Sequence, residues 1–230
     1  MTTGNMKRSE INQFIREAIA TFNQFQFRLP PFAYWSPEEW KTKGHEADEI
    51  RDNALGWDIT DFGLGNFERF GLTLFTLRNG NFNDPNCQKK YCEKIMVVRE
   101  HQVTPFHFHW TKMEDIINRM GGNLQMTLYN ANQNEKLANT EVTVSIDGIQ
   151  RTFPAGATVT LRPGESITFP PKLYHSFWAE MGKGIVLVGE VSLVNDDVKD
   201  NRFLDTNPRF PKIIEDELPQ FLLCSEYPPA

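Results

Sequence analysis

The chain has 230 residues, 40% of them hydrophobic and 23% charged, a balance that supports a folded core and excludes disorder as the main state. Lys and Arg number 24 against 30 Asp and Glu; the resulting net charge of -6 supplies no diffuse positive field for phosphates, and no nucleic-acid partner is expected. No apolar run approaches the roughly 20 residues that span a bilayer, the N-terminal stretch lacks the apolar core of a secretory signal, and three cysteines without a CxxC pair suggest no disulfide framework, so a reduced, cytoplasmic protein with no membrane partner is expected.

From Ser9, apolar residues at Ile11, Phe14, Ile15, Ala18, Ile19 and Phe22 recur every three or four positions, the period of a helix that buries one face. Ser36-Pro37-Glu38-Glu39 then places a capping hydroxyl, a proline suited to a first helical turn and a glutamate able to reach back, which predicts a second, short helix. Beyond Arg51 the texture changes: Gly56, Gly63, Gly65, Gly71 and Gly80 punctuate short runs such as Gly71 to Leu77, the pattern of strands and turns. Further strands are expected at 93–100, 104–110, 123–130, 140–146, 158–161, 166–170, 175–180 and 185–193, and Asp147-Gly148 between two extended runs predicts a tight hairpin. This density of short strands predicts an all-β fold, an antiparallel barrel or jelly-roll-like sandwich. From Asn195 the chain turns polar and then Pro-rich, so the C-terminal part is expected to wrap the barrel without building a second core. Residues 1–230 are read as one domain, with a helical extension over about 9–50 and a barrel core over about 67–195.

The chemistry is concentrated in Pro105-Phe106-His107-Phe108-His109-Trp110 and the residues after it. Side chains two apart on a strand share a face, so His107 and His109 aim two imidazoles at one point. Glu114 follows after enough chain to turn and bring a carboxylate back, and an N, N, O donor set suits a divalent first-row metal. His175 is the candidate for a fourth ligand, because it follows a turn glycine, Gly164, a strand and a proline turn at Pro170-Pro171. A single strand histidine is usually a structural residue; the combination of four points to a metal.

With these residues in place, the chain resembles the cupins. His107, His109, Glu114 and Gly121 match the spacing of their first motif, and Gly164, Pro170 and His175 that of their second. It departs from the pattern at His101 and Lys172, where glycines are usual, and at Ala179, where asparagine is usual. The wording around Tyr91-Cys92-Glu93-Lys94-Ile95, Thr104 to His109 and Lys112 to Arg119 is similar to bacterial D-lyxose isomerases. That resemblance implies a cupin-type barrel and an aldose-ketose isomerase that acts on D-lyxose and D-xylulose, and also on D-mannose and D-fructose. It also implies Mn2+ as cofactor, a monosaccharide as the small-molecule partner and a homodimer.

Moving a hydrogen between C1 and C2 through a cis-enediol needs an acid/base beside those carbons. Glu190 is the candidate, since a carboxylate inside the apolar run Ile185 to Leu193 is costly to bury unless used; an outward-facing strand glutamate is the plainer alternative. Lys112, between two candidate ligands, is assigned to stabilise oxygen charge, and Lys94, Asp196, Asp205 and Arg209 to contact sugar hydroxyls. Three other readings use the same scaffold: a hexose-phosphate isomerase, for which Arg99, Arg119 and Arg162 form no clustered phosphate clamp in sequence, an Fe(II) dioxygenase, and a sugar-binding protein without catalysis.

Overall fold

A computed structural model describes residues 5–205 and 210–230. β1 (Asn5–Lys7) leads into α1 (Arg8–Gln24), and two short helices follow, α2 (Pro37–Trp40) and α3 (Asp48–Asp52). The strands are β2 (Gly56–Thr60), β3 (Leu72–Arg78), β4 (Tyr91–Val98), β5 (Thr104–Phe108), β6 (Glu114–Gly121), β7 (Leu124–Asn130), β8 (Val142–Ile146), β9 (Ile149–Phe153), β10 (Thr158–Leu161), β11 (Ser166–Phe169), β12 (Leu173–Ala179), β13 (Val186–Leu193), β14 (Arg202–Phe203) and β15 (Lys212–Ile214). The expected helices and strands form within a few residues of their anticipated limits. β1, β6, β14 and β15 have no counterpart among the expected strands; Glu114, expected just beyond a turn, opens β6.

The strands build the expected antiparallel sandwich. One sheet runs β2-β3-β4-β13-β6-β11-β8-β9 and faces a second ordered β10-β7-β12-β5-β14. Alternate residues of both sheets point between them, and Leu74, Met96, Ile116, Leu124, Met126, Phe177, Val186 and Val188 fill one end of that space. At the β8–β9 turn, Asp147 and Gly148 both take positive φ, +49 and +80, the conformation that matches a two-residue turn to the twist of its strands.

The other face of the larger sheet carries a second apolar cluster, where the buried face expected of α1 packs. Ile11, Phe14, Ile15 and Phe22 of α1 lie against Phe75, Ile95, Val97 and Leu187. Each such side chain contributes about 1.5–3 kcal/mol when buried, more than a lone helix of this length gains by itself. Leu223 belongs to the same cluster, so the C-terminal segment reaches across the barrel to the helix. It is tied there by Arg8, whose buried guanidinium donates to Glu215 at 2.7 and 2.9 Å and also to Glu226, and by Asn12, which donates to the Leu218 carbonyl at 2.9 Å. The second cluster arises because a one-faced helix must bury that face, and the nearest apolar surface is the back of the sheet whose front lines the barrel.

Candidate functional site

The two sheets supply different halves of one site. On β5 and β12, His107 and His175 stand directly opposite each other, and His109 follows β5 on the same side. On the facing sheet, β13 lies between β4 and β6, with Ser192 opposite Glu114 and Glu190 opposite Lys94. Alternation puts Val186, Val188, Glu190 and Ser192 of β13 on the interior face, so the inward orientation of Glu190 prevails over the outward one, and it is 6% exposed.

His107, His109 and His175 each bring one ring nitrogen to within 4.8 Å of the others. Each Nδ1 faces a backbone carbonyl: Pro105 at 2.8 Å, Asp200 at 2.6 Å and Leu173 at 3.0 Å. Such contacts hold the proton on Nδ1 and leave Nε2 as a lone pair, the arrangement that orients a metal-binding imidazole. Burial, together with the neighbouring His175 and His109, pushes the His107 ring well below the usual histidine range and keeps it neutral.

Glu114 Oε1 lies 3.4 Å from His109 Nε2 and 3.2 Å from His175 Nε2, and His175 Nε2 has no hydrogen-bond partner among the described residues. An acceptor facing an acceptor in a buried site is unfavourable, and a shared cation removes the conflict. The separations also suit the purpose, since neighbouring donors at right angles with bonds of about 2.1 Å are about 3.0 Å apart. The residues present therefore fit a divalent metal, and the three-histidine cluster can bind one.

Beside this group lies a chain of buried charges. Lys112 Nζ is 2.8 Å from Glu114 Oε2 and 2.8 Å from Glu190 Oε1, and Lys94 Nζ is 3.5 Å from Glu190 Oε1 and 3.6 Å from Asp197. Burial works to lower the Lys112 ammonium, but the attraction of Glu114 and Glu190 outweighs it and holds the value above the ordinary lysine range. Glu114 is opposed by its own burial too, yet the Lys112 ammonium holds it well below the usual carboxylate range. Asn195 Oδ1 accepts from both lysines, at 2.8 Å from Lys94 and 3.1 Å from Lys112.

The remaining candidates from sequence are distributed differently. Lys94 lines the cavity over the histidines, a space of about 40 Å³, as do Asp197 and Asn201. Asp196 does not; its carboxylate accepts from the backbone N–H groups of Val198 and Lys199, and it lines a neighbouring cavity of about 270 Å³. Asp205 is exposed and borders neither cavity, and Arg209 lies outside the described residues. Asp196 turns away because a short polar side chain at a loop start satisfies the next N–H groups locally.

Sequence reasoning missed Asn195, Asp197, Asn201, Phe62 and Phe203. Asn195 and Asp197 sit beside the residue it chose, within Asn195-Asp196-Asp197, and nothing in that polar run separates them. Phe62 and Phe203 cover the cavity from the apolar side, their rings 5.6 Å apart, with Phe203 5.5 Å from His107. Phe62 takes φ +54 in a loop whose Asp61 carboxylate accepts from Gly63 and Gly65 N–H at 2.8 Å each. A bulky residue held in the left-handed region is uncommon and requires such surrounding support.

A family model described as D-lyxose isomerase matches residues 6–227. Proteins named D-lyxose/D-mannose isomerase from Serratia proteamaculans and from Escherichia coli O157:H7 are each 54% identical over 223 residues, covering 96% of this chain and 98% of their own. A D-lyxose ketol-isomerase from Thermofilum sp. is 30% identical over 169 residues, 68% of this chain and 82% of its own. Among solved structures, L-ribose isomerases from Cellulomonas parahominis and Geodermatophilus obscurus superpose with TM-scores of 0.60 and 0.62 at 17% identity, each over 93% of this chain and 100% of the other; this similarity is one of fold.

Proposed function

The chain belongs to the D-lyxose isomerase family and is a sugar isomerase, and from that premise we propose that it interconverts D-lyxose with D-xylulose, and D-mannose with D-fructose, by proton transfer through a cis-enediol at a divalent metal, Mn2+. The observation that carries the site assignment is the convergence of three imidazoles on one another, each with its Nδ1 engaged, with Glu114 Oε1 3.4 and 3.2 Å from the Nε2 atoms of His109 and His175. His107, His109, His175 and Glu114 would hold the cation. When bound, it supplies Lewis acidity that polarises the sugar carbonyl and lowers the cost of removing the adjacent proton.

Glu190 is the group on this chain that takes the proton from one carbon and returns it to the other. It is buried in the same cavity, with Lys112 Nζ 2.8 Å and Lys94 Nζ 3.5 Å from its Oε1. Lys112, joined to both Glu114 and Glu190, donates to the sugar oxygen that gains charge. Lys94, Asp197 and Asn201 offer donors and acceptors to the sugar hydroxyls. A space of about 40 Å³ holds about three waters, so sugar entry needs Phe62, Phe203 or the loop beginning at Asn195 to give way.

We also propose a homodimer in the cytoplasm, and a group of neighbouring exposed apolar residues supports the pairing. Tyr91 and Leu193 are paired on the outer face of the large sheet, each 50% exposed, with Val191 and Met113 beside them. Light scattering at micromolar concentration gives twice the chain mass if this holds, and a monomer mass removes the dimer without touching the chemistry.

The test of the reaction is incubation with D-lyxose and Mn2+ without nicotinamide, O2 or phosphate. D-xylulose is expected, with solvent deuterium at C1 or C2; oxygen uptake without ketose refutes the reading. Elemental analysis of His107→Ala and His175→Ala tests the metal assignment, which fails if both retain wild-type occupancy.

A further inference from the structure

Asn79 lies just beyond β3, is 4% exposed and does not border the cavity over the histidines. Its side chain nevertheless grips one residue that does reach the buried charges. Asn79 Oδ1 accepts from the Asn195 N–H at 3.0 Å, and Asn79 Nδ2 donates to the Asn195 carbonyl at 3.0 Å. This two-point bond fixes the backbone of Asn195 in the manner of a strand partner, leaving the Asn195 side chain little freedom except about its own bonds. Asn79 is itself fixed from behind: Asn53, at the end of α3, donates from Nδ2 to the Asn79 carbonyl at 2.8 Å and accepts from Asn79 Nδ2 at 3.3 Å.

At the other end of this relay, Asn195 Oδ1 accepts from Lys94 and Lys112 together. Two ammonium groups on one acceptor repel each other, and each has another carboxylate to follow: Asp197 for Lys94 and Glu114 for Lys112. Glu190 Oε1, 2.8 Å from one and 3.5 Å from the other, is reached by both lysines in the observed arrangement. A neutral acceptor at Asn195 binds the two cations without adding a charge that would draw either away from Glu190. The loop that follows has Asp196 and Asp197 half-buried and Val198 and Lys199 exposed; Asp200 anchors its far end, and Asn79 clamps its start, where the Asn195 side chain is carried.

We propose that Asn79 is a positioning residue for the isomerase reaction, acting through Asn195 to hold Lys94 and Lys112 beside Glu190; this rests on the reading of Glu190 as the acid/base. Asn79 touches neither substrate nor metal. Its loss lets Asn195 Oδ1 shift, and a displacement of about 1 Å in a catalytic array costs about 100-fold in rate.

The experiment compares Asn79→Ala, Asn195→Leu and the double variant with the wild-type protein, each loaded with Mn2+ and assayed with D-lyxose. Asn79→Ala is expected to lose about 10- to 100-fold in kcat with KM within about threefold and metal content unchanged. Asn195→Leu is expected to fall at least as far, and the double variant no further, because both act on the same lysines. In the metal-free proteins, 15N-edited spectra read the ammonium groups directly: Lys94 and Lys112 should give protected signals in the wild type that vanish in Asn79→Ala. Wild-type kcat in folded Asn79→Ala, additive losses in the double variant, or ammonium signals unaltered by the substitution each overturn the proposal. Should Asn79→Ala not fold, Asn79→Asp, which keeps the acceptor and loses the donors, is held to the same criteria. A wild-type protein that forms no ketose defeats the functional reading instead, and the ammonium signals still decide whether Asn79 holds the lysines.

Discussion

Replacing Lys112 with methionine keeps the length and apolar stem of the side chain and deletes only the ammonium. In the native protein that ammonium is 2.8 Å from Glu114 Oε2, 2.8 Å from Glu190 Oε1 and 3.1 Å from Asn195 Oδ1, with the side chain 1% exposed. Removing one partner of a buried ion pair costs about 3–5 kcal/mol, because the charge left behind has lost its compensation without regaining water. Here two carboxylates are left, but Lys94 remains 3.5 Å from Glu190, so the lower half of that range is the expectation for the metal-free protein. At about 2–4 °C per kcal/mol for a chain of this size, the midpoint should fall by roughly 6–16 °C. Calorimetry in chelator gives that number directly. With Mn2+ the drop should shrink, since the cation takes over compensation of Glu114, while kcat should remain down by about 10²- to 10³-fold from the loss of a donor to the developing oxygen charge. Lys112→Met combined with Glu190→Gln should regain part of the lost stability. A metal-free Lys112→Met protein melting within 2 °C of wild type would show that the ammonium does not support these carboxylates, and the account of the charge chain would fail.

Glu190→Gln preserves shape and removes basicity, so turnover should drop by about two to four powers of ten while elemental analysis finds the metal unchanged; near-normal turnover refutes the acid/base role. Asp200→Ala should weaken Mn2+ binding about 10- to 100-fold by calorimetric titration, because the Asp200 carboxylate accepts from the N–H groups of Trp110, Thr111 and Lys112 and so holds the loop between His109 and Glu114; unchanged affinity refutes this. His107 has its folded value lowered, so the unfolded chain binds the extra proton first as pH falls. The stability it contributes is complete above the unfolded histidine value of about 6.5 and is lost below it, with a second loss below about 4.3 from Glu114, whose folded value is also lowered. Metal-free melting points measured from pH 8 to 4 should therefore decline in that order, and a flat profile through pH 6.5 to 5 contradicts the neutral, buried His107.

The fold was legible wherever local chemistry had one solution. The Asp147-Gly148 hairpin and the Ser36 cap, whose Oγ accepts from Glu39 N–H at 3.2 Å while Glu39 accepts from Ser36 N–H at 2.8 Å, are decided by neighbours in sequence. The departures from the cupin motifs are instructive for the same reason. Gly121 and Gly164 take φ +98, and His101 and Lys172, which replace motif glycines, also sit in the left-handed region at +61 and +62. The turns are retained and the chain accepts roughly 1 kcal/mol of backbone strain at each replaced position. The second apolar cluster was not legible, because the helix pattern says that one face is buried and not which surface buries it. β6 is hidden because two of its inward residues, Glu114 and Asn118, are polar and break the apolar alternation.

The site divides along the same line. His107, His109 and Glu114 are close in sequence, and their spacing alone brings donors together; His175 needed the barrel, yet the turn glycine and prolines before it marked a strand returning to the same place. Glu190 could be suspected only from cost, since a carboxylate in an apolar run must face either water or a use, and strand parity then decides between the two faces. Asn195, Asp196 and Asp197 defeat such reasoning, because in a loop there is no parity: the middle residue bonds its own backbone, while its neighbours turn to the lysines on either side. What selects Asn195 is a contact with Asn79, 116 positions away in sequence, and no periodicity within either segment contains that pairing. The proposed acid/base Glu190 and its neighbour Lys94 thus follow from strand pattern, whereas Lys112 and Asn195 sit in loops, where only the folded chain identifies which polar side chain faces inward.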